Sequence, residues 1–374
     1  MRFLAFLALC CLSVLARAQT LPQAPTIAAK SWLLLDYSTG QALASYNPDD
    51  RVEPASLTKL MTAYVVLGAL KEGLLKPDQA LPVSERAWKT PGSRMFIEPK
   101  KPVTVDELLR GMIVQSGNDA CIALAEAVAG SEEAFAQMMN REAQRLGLKA
   151  TRFANATGLP DPQHYSTARD LGALAAALIR DHPEHYPLYA LREYTYNRIT
   201  QANRNRLLWL DPAVDGVKTG HTENAGYCLV ASAKRGPRRL LSVVMGAASD
   251  GMRTQESQKL LNFGFQFFDS VKLYGKDQEV SRLRVWKGAQ NTVRAGFLED
   301  FTLSLPKGMA ENLKASLVSQ QPLLAPVLKG QRIATLKLSL DDRPYGEYPV
   351  VALETVPVAG MIGRAWDAMR LWFE

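Results

Sequence analysis

The sequence predicts an α/β domain whose sheet draws strands from both of its ends, followed by a small all-β domain and a C-terminal amphipathic helix. Three observations carry this. Strand-like runs with turn signals open and close the first part of the chain, while the stretch between them spaces its apolar residues by three and four. After about Lys276 the helical periods stop and short alternating runs take over. The last twenty residues return to a helical period, with Val358, Ile362, Ala365, Trp366, Met369, Trp372 and Phe373 on one side and Arg364, Asp367, Arg370 and Glu374 on the other. Leu371 breaks that pattern.

Met1-Arg2 gives a positive start, Phe3 to Val14 an apolar run, and Ala16-Arg17-Ala18 a small-x-small cleavage site. This is the pattern of a secretory signal over residues 1–18, and the mature chain is expected to begin near Gln19. The run is shorter than the roughly 20 residues a membrane span needs. Leu9 stands before Cys10 where lipid attachment wants a small residue, which argues against a lipidated start.

About 355 residues remain, enough for more than one domain. Two cysteines remain with them, Cys121 and Cys228, too few for a disulfide scaffold. They could pair in an oxidising compartment, but buried free thiols are the plainer expectation. The formal charge of +7 drops to +5 without Arg2 and Arg17, a balance suited to an anionic membrane surface or wall polymer. No cluster of lysine and arginine with interleaved aromatics points to nucleic acid.

Ser31 to Asp36, the Thr39-Gly40 turn and Gln41 to Ser45 predict a hairpin. Leu57, Leu60, Met61, Tyr64 and Leu67 predict a helix that Gly73 ends, with Ser56 at its start. Further helices are expected over Asp119 to Ala129, Glu132 to Leu146 and Thr167 to Arg180, making the middle all-helical. Gly226 to Lys234 and Arg239 to Ala247 predict strands across an Arg235-Gly236-Pro237 turn, followed by a helix from Thr254 to Phe268. Leu336, Leu338 and Leu340 mark one face of a strand in the second domain, before a turn at Asp341-Asp342-Arg343-Pro344. The expected boundaries are 19–272 for the first domain, 273–354 for the second and 355–374 for the helix.

Ser56-Leu57-Thr58-Lys59 puts a hydroxyl and an amine one helical turn apart. A serine needs a neighbouring base, and a desolvated lysine beside another cation can serve. The spacing alone carries little, since Ser304-Leu305-Pro306-Lys307 repeats it in a strand-like setting, and Ser45-Tyr46-Asn47 duplicates the Ser-x-Asn of Ser116-Gly117-Asn118. Order and context decide: Ser56 to Lys59 at a helix start, Ser116 to Asn118 on a loop between helices, then Lys218-Thr219-Gly220 leading into a strand.

That order is the one of the penicillin-recognising serine enzymes. Glu53-Pro54-Ala55-Ser56-Leu57-Thr58-Lys59, Ser116-Gly117-Asn118-Asp119-Ala120-Cys121 and Asp215-Gly216-Val217-Lys218-Thr219-Gly220-His221-Thr222 closely resemble the low-molecular-weight D-alanyl-D-alanine carboxypeptidases. The resemblance covers nearly the whole chain and implies a serine β-lactamase/transpeptidase-like first domain. It implies that Ser56 attacks the carbonyl between two D-alanines of a peptidoglycan stem pentapeptide, that Lys59 takes its proton and that Ser116 relays a proton to the leaving D-alanine. It further implies that Asn118 bonds substrate and Lys59, that Lys218 supplies positive field, and that Thr219 and Arg253 bind the terminal carboxylate. The backbone N–H groups of Ser56 and His221 map onto the family's oxyanion hole, with Gly220 in the same motif, and Arg204 matches an arginine near the site. Asn205 and Asp215 are expected to be structural, and Cys121 a core residue within reach of thiol reagents.

No metal or organic cofactor is implied. His182 and His185 flank Pro183 in what reads as a surface loop, and no Gly-x-Ser-x-Gly elbow or complete phosphate loop occurs. The stretch Thr157 to Asp170 contains no glutamate of the kind that lets related β-lactamases activate a deacylating water, although Asp161 and His164 lie in it. β-Lactams are therefore expected to act as covalent inhibitors. The implied location is the periplasmic face of the bacterial inner membrane, with the terminal helix lying on the membrane surface. Two rivals stay open at this point: a D,D-endopeptidase of the same family, and a wall-binding protein with a relic site.

Overall fold

The computed structural model describes residues 22–370. The signal expected over residues 1–18, and Trp372 and Phe373 of the terminal apolar side, lie outside the described residues.

The hairpin forms as β1 (Ser31–Asp36) and β2 (Ala42–Tyr46). A 3-10 turn, Ala55–Thr58, leads into α1 (Lys59–Lys71), and Gly73 with φ +74° follows its end. The next stretch holds β3 (Ala80–Leu81), α2 (Glu85–Lys89), β4 (Val103–Thr104) and α3 (Val105–Val114). Then come α4 (Asn118–Ala129), α5 (Glu132–Arg145) and α6 (Ala168–Asp181). A second hairpin, β5 (Glu193–Tyr196) with β6 (Ile199–Ala202), and the short α7 (Leu207–Leu210) precede β7 (Val214–Thr222), β8 (Gly226–Arg235), β9 (Arg238–Ala247) and α8 (Asp250–Phe267). The remainder is β10 (Phe268–Tyr274), β11 (Glu279–Arg284), β12 (Thr292–Gly296), β13 (Phe301–Pro306), β14 (Leu313–Ser319), β15 (Arg332–Leu340), β16 (Arg343–Ala352) and α9 (Met361–Arg370). Among the described residues, no helix is long and apolar enough to cross a membrane.

The first sheet runs β2-β1-β9-β8-β7, all antiparallel, so strands from both ends meet where β1 pairs with β9. Strand alternation sends Leu33, Val230, Leu241 and Val243 into the core shared with the helices, and Leu34, Leu229, Leu240 and Val244 into the core under α8. Both faces are covered, which is why these strands read as continuous apolar runs. Helix α1 packs against α3, α4, α5 and α6 and is buried on nearly all sides, which fixes the turn at its start.

The middle is not all-helical. Asn197 and Arg198, both at positive φ, turn β5 into β6, and this hairpin holds neighbours of the later site: Gln115 Nε2 donates to Tyr194 O at 3.1 Å and Gln201 Nε2 to Arg94 O at 3.0 Å. Helix α3 was also not expected, although Thr104 and Glu107 form a complete capping box at its start.

The second β unit contains the sheet β11-β12-β16-β15-β14, with Leu336, Leu338 and Leu340 buried on one face. The turn into β16 is Asp341-Asp342, and Arg343 and Pro344 already belong to the strand. β10 follows α8 directly and pairs with β13, so Ser304 to Lys307 lie in or beside a strand and not at the start of an α-helix. The two units touch where Ser304 N donates to Gln41 Oε1 at 2.7 Å, beside Thr39. Helix α9 is tied down by Lys287 N donating to Asp367 Oδ2 at 2.6 Å.

Candidate active site

The 3-10 turn places Ser56 immediately ahead of α1, with Lys59 as the first α-helical residue. Gly220 on edge strand β7 runs against this turn so closely that a Cβ there would stand 3.2 Å from Ser56 N and 3.1 Å from Pro54 O. Gly158 does the same from the other side, where a Cβ would lie 1.9 Å from Ala55 O. Glycine is needed at both positions to let three backbones meet, and Ala55 itself is held at φ +48°.

Lys59 is buried, and its Nζ has three neighbours: Asn118 Oδ1 at 2.7 Å, Thr157 O at 2.6 Å and Ser56 Oγ at 3.1 Å. Two of these only accept, while the third is a hydroxyl that can donate. A neutral amine, with two N–H bonds and one lone pair, satisfies all three when Ser56 O–H donates to Nζ. Desolvation by burial lowers the lysine's pKa, and nearby Arg204 lowers it further against the opposing pull of Cys121 and Asp119. Burial likewise drives Lys218 well below the usual lysine value, assisted by Lys59 and Arg204. Lys218 Nζ donates to Thr219 O at 3.0 Å.

Ser116 precedes α4 at φ +61°, a costly conformation for a residue with a side chain, and its buried Oγ has no hydrogen-bond partner within the protein. Ser116 and Ser56 line the same cavity, so this unsatisfied hydroxyl is free to bond a group bound there. Asn118 is fixed from behind by Nδ2 donating to Pro91 O at 2.7 Å, and Asp119 accepts from Met95 N, Phe96 N and Ile97 N, which shapes the rim.

A cavity of about 710 Å³ opens over these residues, lined among others by Ser56, Ser116, Arg204, Thr219, Gly220 and Arg253. His221 lies on its edge with its ring against Tyr227, 4.1 Å between centroids. Lys59, Asn118 and Lys218 are buried behind the lining. Arg253, in the first turn of α8, is buried, with Nη1 donating to Gly220 O at 3.1 Å and Nη2 paired to Asp250 at 2.5 Å. The structure thus brings together all ten residues singled out from the sequence, from five separate segments.

Three expectations need adjustment. Lys218-Thr219-Gly220 lies within β7, not ahead of it. Cys121 is fully buried and its thiol is raised to about 11 by desolvation, which removes it from reach of thiol reagents. Cys228 is likewise a buried free thiol raised to about 11. His182 is buried edge-on to Tyr64, 5.0 Å between centroids, so only His185 fits a surface loop. Asn205 and Asp215 are held in structural bonds, to Gly216 O and to Arg239.

Of the carboxylate and imidazole near the deacylation loop, neither reaches the cavity. Asp161 Oδ1 accepts from Gln163 N, and His164 is buried on Thr58 Oγ1 at 2.7 Å, with desolvation lowering its pKa to about 4. Sequence reasoning missed Arg206, Trp209, Tyr227 and Asp250, which also line the cavity. Asp250 had a signal, three residues before Arg253 at a helix start. The carbonyls of Pro91 and Thr157 had none, because every residue carries one.

Comparison with known proteins agrees with this geometry. The family model described as D-alanyl-D-alanine carboxypeptidase matches residues 18–249, and that of the penicillin-binding protein 5 C-terminal domain matches 268–358. The chain is 45% identical over 377 residues to the D-alanyl-D-alanine carboxypeptidase DacC of Escherichia coli, covering 99% of this chain and 94% of that protein. Penicillin-binding protein 5 from Haemophilus influenzae superposes with a TM-score of 0.85 at 42% identity, over 90% of this chain and 99% of the other. Penicillin-binding protein D2 from Listeria monocytogenes in its ampicillin-bound form matches at a TM-score of 0.60 and 31% identity, over 65% of this chain and all of that one. With Ser56 lining the cavity and Lys59 Nζ 3.1 Å from its Oγ, the chain belongs to the serine-type D-alanyl-D-alanine carboxypeptidases of the penicillin-binding protein 5 kind.

Proposed function

We propose that Ser56 is the nucleophile that removes the terminal D-alanine of peptidoglycan stem pentapeptides, with neutral Lys59 as its base. The observation that supports this best is the burial of Lys59, whose desolvation lowers its pKa, with Nζ 3.1 Å from Ser56 Oγ so that the neutral amine can accept the serine proton. Ser116 then hands a proton to the leaving amine, and Lys218 holds the positive field beside it. The N–H groups of Ser56 and His221 bind the oxyanion, a contribution of roughly 3 kcal/mol per donor in comparable sites. Thr219 and Arg253 take the terminal carboxylate, Asn118 the substrate backbone, and Arg204 adds positive charge at the mouth. β-Lactams acylate the same serine, and because, among the described residues, Asp161 and His164 are engaged elsewhere and do not line the cavity, their esters persist.

Arg253→Ala tests the carboxylate assignment. Loss of a charge-assisted pair should lower kcat/KM for the pentapeptide roughly 10- to 100-fold. Acylation by penicillin, driven by ring strain, should fall much less. Equal losses would make Arg253 structural.

The division of the mature chain at 19–272, 273–354 and 355–374 is part of the same reading, as are export by the 1–18 signal and residence at the periplasmic face of the inner membrane. Helix α9 is read as a membrane-surface anchor. Met361, Trp366 and Met369 are exposed within one arc of it, while Asp367 accepts from Lys287 N of the β unit, so these three apolar side chains lie away from the contact that ties the helix down. Deleting residues 356–374 should move the protein from the membrane to the soluble fraction with peptidase activity retained, and Trp366→Glu should do nearly the same. A truncated protein that stays with the membrane pellet would make α9 a packing helix.

A further inference from the structure

Among the described residues lining the cavity, Asp250 is the carboxylate, and it sits on the arginine assigned to the substrate. It is the first residue of α8, held there by the Ser249 cap, whose Oγ accepts from Met252 N at 3.1 Å. Its two oxygens are divided: Oδ1 lies 2.5 Å from Arg253 Nη2 and Oδ2 lies 2.5 Å from Arg206 Nε. Arg253 is otherwise committed, with Nη1 on the carbonyls of Gly220 and Cys228, and its buried Nε has no partner. Among the described residues, the charged group it pairs with is thus already an anion of the protein's own.

We infer that Asp250 stands in for the substrate's terminal carboxylate in the empty site, and that Arg206 is the counter-cation that draws it off Arg253 when substrate binds. This rests on the reading that Arg253 takes that carboxylate. The asymmetry of burial supports the direction of movement. The Arg253 side chain is 5% exposed and locked to two strands, whereas that of Arg206 is 67% exposed and that of Asp250 28%. The exposed half of the network is the Asp250–Arg206 half, and it lines the same cavity as Arg253.

Charge sets the consequence. Asp250 alone would neutralise Arg253 and repel an incoming carboxylate a few ångströms away, but Arg206 restores a net positive charge to that corner. A substrate carboxylate takes over Nη2 and reaches the unpartnered Nε, a two-donor arrangement that arginine suits. A substrate without that charge cannot displace Asp250. The pair Asp250 and Arg206 is thus a specificity device for a free C-terminal carboxylate, acting through Arg253 and not on the reacting bond.

The test measures KM and kcat separately for a pentapeptide ending in D-alanyl-D-alanine and for its C-terminal amide, in wild-type enzyme, Asp250→Asn, Arg206→Gln, the double variant and Arg253→Ala. Asp250→Asn should lower KM for the free acid about fivefold or more, with the effect on KM instead of kcat and little change for the amide. Arg206→Gln should raise KM for the acid by a similar factor, and that rise should vanish in the double variant, because Arg206 acts only by drawing off Asp250. An unchanged acid-to-amide KM ratio in Asp250→Asn, while Arg253→Ala still raises KM for the acid, overturns the inference alone. An acid KM unchanged in Arg253→Ala overturns the carboxylate assignment beneath it. If Asp250→Asn only lowers the melting temperature, with the KM ratio intact, Asp250 is a helix-start residue and the inference fails.

Discussion

Replacing Ser56 with alanine should abolish D-alanine release and penicillin labelling together, a loss on the order of 10⁶-fold of the kind seen when a serine hydrolase loses its nucleophile. The reason is local. Ser56 Oγ is the hydroxyl that meets Lys59 Nζ, and Ser116, the other hydroxyl beside it, is held in a left-handed backbone with its oxygen turned to no base. The fold should persist, since Ser56 lines the cavity and only its Oγ is lost, although Lys59 Nζ gives up one of its three neighbours and the melting temperature should fall slightly. Circular dichroism and melting temperature check the fold, and a fluorescent penicillin with a D-alanine assay checks the activity. Labelling retained on another serine would remove Ser56 from its role.

Lys59→Met should be the next most severe change, slowing acylation by roughly 10²- to 10⁴-fold, the usual contribution of a positioned base. It also leaves Asn118 Oδ1 and Thr157 O without their donor, so the melting temperature should fall as well. In the wild type, the pH profile of kcat/KM carries the signature of this base. Burial, and then Arg204, hold the Lys59 pKa below that of an ordinary lysine. Activity needs the deprotonated amine, so the rate rises as pH climbs through that lowered value and is lost below it. Removing the charge in Arg204→Gln should move the acid limb to higher pH. His164 stays out of this limb, because desolvation holds it neutral down to about pH 4 and it faces Thr58 instead of the cavity. A Lys59→Met enzyme that acylates within tenfold of wild type would place the base elsewhere.

How far this site was legible from the sequence depends on which kind of atom does the work. Side-chain chemistry was legible: Ser56 with Lys59, Ser116 with Asn118 and Lys218 with Thr219 each lie in a short motif whose order along the chain matches their meeting in space. Strands such as Arg238–Ala247 were legible because apolar runs bounded by Gly-Pro turns have few other uses. The hairpin Glu193–Ala202 was not, because its two strands are only four residues each and slightly buried, so helical neighbours dominated the pattern. The backbone carbonyls of Pro91 and Thr157, and the near contact of Gly220 with Ser56 N, were out of reach for a different reason. They depend on how three segments approach one another, and no residue type encodes that by itself. Asp250 fell between the two, visible as a helix start but not as the partner of a distant Arg206.

The most direct test of the account is intact-mass spectrometry with peptide mapping on one sample of enzyme, first turning over pentapeptide and then treated with penicillin. The account predicts free D-alanine from the peptide, followed by a single penicilloyl ester on Ser56 that remains after unbound drug is removed. An adduct on any other residue, or one that vanishes within seconds while many penicillin molecules are consumed per enzyme, would contradict it.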